Sequence, residues 1–178
     1  MKKLILIIIF SSASIFAQNN FYLSSNVGLN LSYPKAPFNN VWGLSYNLGI
    51  GIGYNITEDL SSEIIYQYNK HKLSTFSYDG DSNYQFINSF LMRWNYIISN
   101  INSFKPYISI GIGLSSLELN TKKSSNIFSL FPGVGLKYDI SKNIGIKFFL
   151  EYAQLYVDYI SNEDLKYFPF QLGFQYNL

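Results

Sequence analysis

From Leu44 to Ile56 every second residue is apolar: Leu44, Tyr46, Leu48, Ile50, Ile52, Tyr54 and Ile56. The residues between them, Ser45, Asn47, Gly49, Gly51, Gly53 and Asn55, are small or polar. A period of two marks a strand with one apolar and one polar face. The period recurs along the chain and predicts eight strands, at about Asn20–Tyr33, Trp42–Ile56, Leu60–Lys72, Tyr84–Ile98, Phe104–Leu117, Ile127–Ile140, Ile144–Tyr156 and Leu165–Leu178. One face of these strands is bulky, with Phe90, Trp94, Phe148, Tyr152, Phe170 and Phe174. The other is rich in Gly, Ser, Asn and Gln, with scattered charges.

The connections alternate in length. Thr57-Glu58-Asp59, Ser99–Ser103 and Ser141-Lys142-Asn143 read as tight turns, whereas Pro34–Val41, Leu73–Asn83, Glu118–Asn126 and Val157–Asp164 read as longer polar loops. Short turns on one rim and long loops on the other, with lipid-sized residues at alternate positions, predict an all-β fold, an eight-stranded antiparallel up-and-down transmembrane β-barrel. An even strand count puts both termini on the short-turn rim, the periplasmic one, and the long loops outward. A soluble barrel or sandwich would use the same alternation with its faces reversed. It would need a charged coat, and only 13% of the residues are charged. The interior of eight strands is also too narrow for the bulky face.

The first residues support export. Lys2 and Lys3 precede the apolar run Leu4–Phe10, and Ser11-Ser12-Ala13-Ser14-Ile15-Phe16 lead to the small residue Ala17. This arrangement predicts a signal peptide over residues 1–17 and a barrel over residues 18–178. The apolar run falls short of the ~20 residues a spanning helix needs. Of the 13 lysines and arginines, Lys2 and Lys3 leave with the leader, so the remainder balances the 11 acids. No basic surface of the nucleic-acid type is implied. The absence of cysteine excludes a disulfide scaffold and thiolate metal sites. An aromatic content of 19% suits a wall that meets both membrane interfaces.

The C-terminal run Gln171-Leu172-Gly173-Phe174-Gln175-Tyr176-Asn177-Leu178 resembles the last-strand signal read by the outer-membrane insertion machinery. Its matching positions are Gln171, Gly173, Tyr176 and Leu178, and Leu178 departs from the terminal Phe common in such barrels. Lys105-Pro106-Tyr107-Ile108-Ser109-Ile110-Gly111-Ile112-Gly113-Leu114 resembles the fifth strand of small OmpA/OmpX-type, or porin-family, outer-membrane barrels. The resemblance implies the outer membrane of a Gram-negative envelope. The partners it implies are membrane lipid, lipopolysaccharide, the insertion machinery and extracellular ligands at the loops. No peptidoglycan-binding domain follows Leu178, so the tethering role of two-domain relatives is not expected.

Candidate chemistry lies on the inner face. Glu63, Arg93, Lys137, Asp139, Lys147 and Glu151 all fall at odd, inward positions. Charges in a narrow lumen must pair or stay hydrated. If the third connection is symmetric about Tyr78, Glu63 lies opposite Arg93. This predicts a Glu63–Arg93 pair, with Lys147 and Lys137 shared between Glu151 and Asp139. The network either fills and pins the interior or forms a gate. The inward glycines lie inside strands and open no helix, so they make room for large neighbours rather than cradle a phosphate. His71, the lone histidine, has Ser74 near and Glu63 well below, which matches no hydrolase spacing. Asp79 and Asp81 are read as a solvated loop rather than a calcium site. Trp42 reads as an interface anchor, while Phe38 and Phe76 suit either binding or anchoring. The expectation is a barrel without cofactor, metal or enzymatic activity, with an envelope-structural or surface-interaction role. The alternatives are a narrow channel for ions or small solutes and, behind it, a lipid-active enzyme.

Overall fold

A computed structural model describes residues 20–32, 45–72, 84–119, 122–156 and 165–178. The leader, three of the long connections and the residues Phe38, Trp42, Ser74, Phe76, Tyr78, Asp79 and Asp81 lie outside them. The strands are β1 (Phe21–Ser32), β2 (Ser45–Asn55), β3 (Leu60–Lys72), β4 (Tyr84–Ile97), β5 (Phe104–Leu119), β6 (Lys122–Asp139), β7 (Ile144–Glu151), β8 (Ala153–Leu155) and β9 (Leu165–Asn177). From β1 to β7 each strand pairs antiparallel with the next, β9 pairs with both β7 and β8, and β1 pairs with β9, which closes the sheet. Strands β7 and β8 are two halves of one stave between β6 and β9, so the barrel has eight.

The stave breaks at Tyr152 for a reason its neighbours supply. Tyr152 stands opposite Pro132 and donates its amide to the Pro132 carbonyl at 2.8 Å. Proline has no N–H to return. One residue earlier, the register sets Glu151 opposite Pro169 of β9. Two adjacent carbonyls of this stave thus lose their ladder donors.

The side-chain faces fall as the alternation predicts. Phe148 and Phe174 are 47% and 45% exposed on the outer wall, whereas Asn47 and Gln67 are wholly buried. The tight turns are held by their own side chains. Thr57 Oγ1 accepts from the amides of Asp59 and Leu60, and Ser141 Oγ from those of Asn143 and Ile144. Asn102, in the Ser99–Ser103 turn, takes φ 58°, a left-handed conformation that Asn tolerates.

One expected loop is mostly strand. In place of a long connection over Glu118–Asn126, β5 runs on to Leu119 and β6 begins at Lys122. The register shifts between Ser115 and Leu117, with Ser125 and Asn126 standing opposite Ser116, a β-bulge. Beyond the belt both faces of a ribbon can be polar, so its residues read as a loop.

Depth on the wall sets the cost of a charge. At about 3.3 Å per residue and a tilt of about 40°, Ile110 lies ~15 Å above the start of β5, near mid-membrane. Tyr138 lies one residue from the turn rim. We expect Ile110→Arg to lower stability by about 2–4 kcal/mol and Tyr138→Arg by less than about 1 kcal/mol, read from urea unfolding in phospholipid vesicles.

Candidate functional site in the barrel lumen

The inward side chains fill the lumen in three tiers. The tier nearest the long loops is apolar, with Ile87, Leu91, Leu117, Ile127, Phe131, Ala153, Leu155 and Tyr167 in one buried cluster. Sequence reasoning missed it, because an apolar residue at an inward position reads as noise in an alternation that assigns bulk to the outside. The signal was present, since Ile87, Leu91 and Phe131 share parity with Arg93 and Gly133. His71 is buried here against Tyr167, ring centroids 4.7 Å apart. Amides bind the tier to the wall: Asn47 donates to Asn30 at 2.7 Å, and Asn30 to Asn69 at 3.2 Å. Ser89, Ser115 and Ser129 form a hydroxyl chain across three staves, at 2.7 and 3.0 Å.

The middle tier is ionic. Glu63 lies directly opposite Arg93 in the β3–β4 register. The expected Glu63–Arg93 pair does not form, however. Arg93 Nη2 reaches Glu151 Oε1 at 2.7 Å, three staves away. Glu63 instead accepts from Ser24 of β1 and lies 3.9 Å from Lys147, on the facing stave. Lys147 therefore serves Glu63, not Glu151 or Asp139 as expected. Residues facing each other across a wall point side by side toward the axis, whereas a narrow lumen brings long side chains from distant staves head to head. Gln171 of β9 completes Glu151 with a 2.7 Å hydrogen bond. Both cations also lie over rings, Arg93 at 5.1 Å from Phe149 and Lys147 at 4.9 Å from Tyr22.

Two of the glycines exist for the rings of this tier. Tyr22 is paired with Gly53 and Tyr107 with Gly135. A Cβ on either glycine would overlap the tyrosine ring. Each ring lies flat over the bare backbone of its neighbour, a filling that covers the glycine and narrows the bore. What space remains among Ser24, Asn26, Arg93, Tyr107, Lys147 and Phe149 is about 10 Å³, room for one water.

The third tier, at the tight turns, is a cup of about 760 Å³. Asp139 bridges Lys105 at 2.8 Å and Lys137 at 3.3 Å. Lys105 was not among the expected network residues. It is drawn in because Lys105 and Lys137 are register partners in β5 and β6. Among the insertion-signal positions, Gln171 and Gly173 face the lumen and Tyr176 faces lipid.

A closed eight-stranded barrel with an apolar wall and a filled, charge-compensated interior is a transmembrane barrel. The chain belongs to the family of the outer membrane protein β-barrel domain, whose model matches residues 4–177. A comparison with curated proteins by sequence yields no match. Among solved structures it is similar to Neisserial surface protein A (NspA), with a TM-score of 0.64 at 16% identity, over 89% of this chain and 97% of that one. It is also similar to Ail, the attachment invasion locus protein of Yersinia pestis, at 0.56, 17%, 89% and 99% in the same order. The N-terminal β-barrel domain of Pseudomonas aeruginosa OprF follows at 0.50, 18%, 88% and 98%.

Buried charges separate good pairing from good packing. Removing one partner of a buried pair costs about 3–5 kcal/mol, whereas replacing both by apolar groups is near neutral. Arg93→Met should therefore destabilise by about that amount, leaving Glu63 and Glu151 to share Lys147. Arg93→Met combined with Glu151→Leu should recover part of the loss, less the cost of leaving the buried Gln171 amide without its acceptor, as judged by urea midpoints in vesicles.

Proposed function

We propose that this outer-membrane barrel is non-enzymatic and serves envelope structure or surface interaction. In this reading it is exported on a leader ending near Ala17 and inserted with both termini in the periplasm. The observation that carries the reading is the plug: an apolar tier stacked on a cross-linked ionic tier with space for a single water. Glu63, Arg93, Lys147 and Glu151 act within it as pins between distant staves, with Lys137 and Asp139 below them. His71 is packed against Tyr167 inside the plug, which suits a filler better than a base working on lipid. Gln171, Gly173, Tyr176 and Leu178 form the signal for the insertion machinery, and the apolar wall contacts membrane lipid and lipopolysaccharide. Extracellular ligands would meet the long loops. A barrel of this fold, Ail, has been crystallised with the heparin analogue sucrose octasulfate.

The second reading, a narrow channel, draws on the loose 3.9 Å contact between Lys147 and Glu63, which partner exchange could open. Reconstitution in planar bilayers distinguishes the two. The structural reading expects no discrete conductance steps from the wild type. Steps that change in size or open time with Arg93→Ala would replace it with the channel.

A further inference from the structure

The cup at the tight-turn end is roomy and charged, and neither the plug nor the wall requires its charges. Its volume, about 760 Å³, lies within the ~300–1,000 Å³ typical of small-molecule sites. Its two sides carry opposite charge. On the β5–β7 side, Lys105 and Lys137 share one carboxylate, Asp139, and Lys142 adds a further cation to the lining. Lys105, Lys137 and Asp139 are partly buried, with side chains 15–26% exposed, so solvent screens them less than charges on an open rim. The other side is the β2–β3 turn, with Glu58 and Asp59. In the closed strand order, the β2–β3 and β6–β7 turns lie half a circumference apart. Between them the lining offers the hydrogen-bonding groups of Asn20, Asn55, Asn95 and Asn177 beside the apolar Ile56, Leu60 and Ile97, and its one further charge, Lys147, is turned to Glu63 at 3.9 Å.

We propose that the cup binds a short zwitterionic peptide. The carboxylate lies against the Lys105–Asp139–Lys137 wall, where the ammonium excess is uncompensated, and the amino terminus lies toward Glu58 and Asp59. The asparagines satisfy the peptide groups between. An extended tripeptide spans about 10 Å, a length suited to reach from one side of a narrow barrel mouth to the other. The site is independent of the structural role proposed above and stands whether or not the barrel conducts.

The test uses three probes on the full-length mature barrel in detergent micelles: tri-alanine, its N-acetyl derivative and its C-terminal amide. Binding is followed by NMR shifts of cup residues up to about 20 mM, a range that detects millimolar affinity. Tri-alanine should titrate saturably, and each cap should weaken it by about fivefold, the worth of one partly exposed ion pair. Lys105→Gln with Lys137→Gln should remove the penalty for amidation while keeping that for acetylation. Glu58→Gln with Asp59→Asn should do the reverse. Both pairs lie at the rim, and unchanged spectra in the upper lumen verify folding. No saturable shift, equal affinity for all three probes, or sensitivity to one cap alone would each overturn the proposal.

Discussion

Hydrocarbon offers a backbone amide nothing to bond, and every other feature of this chain follows from that constraint. A sheet can meet it only by closing, which β1 and β9 do. Closure then decides which face can be apolar. The wall must suit acyl chains, so the bulky alternation of Ile50, Phe90, Phe148 and Phe174 turns outward. The axis inherits the small and polar residues.

Eight staves leave a bore that side chains must fill, and this chain fills it unevenly. Toward the long loops the filling is mostly hydrocarbon, and the amides and hydroxyls beside it bond to one another. Toward the centre it is charge, and each charge reaches across the bore to a distant stave. The Arg93–Glu151 and Lys147–Glu63 contacts connect strands that share no ladder. They resist ovalisation of the barrel, which ladder bonds between neighbours do not. Tyr22 and Tyr107 take the remaining width because Gly53 and Gly135 have no side chains to compete for it.

Much of this was legible in the chain. The alternation predicts the strand Leu60–Lys72, and the assumption of symmetry about Tyr78 puts Glu63 opposite Arg93, which is the register found. Alternation is local, and register follows from it by counting. The pairing partners were not legible, because they depend on how the sheet curls: Arg93 and Glu151 are 58 positions apart with nothing in sequence to join them. The apolar tier was hidden for a related reason. Ile87, Leu91 and Phe131 are inward by parity alone, and composition argues the other way. Lys105 escaped notice because its charge matters only beside its register partner Lys137. The β5–β6 extension was lost where polarity stopped alternating.

The two prolines that flank the seventh stave have a mechanical consequence. Pro132 and Pro169 deprive consecutive carbonyls, those of Tyr152 and Glu151, of donors from opposite neighbours. The wall is therefore least zipped at this one height, where a strand would first peel or slip. Yet the Glu151 side chain is the one that grips Arg93 from inside and Gln171 from alongside. A gap in the ladder and a cross-bore ion pair coincide at a single residue. The side chain of Glu151 thus ties the stave to the interior at the height where its backbone is least tied to its neighbours.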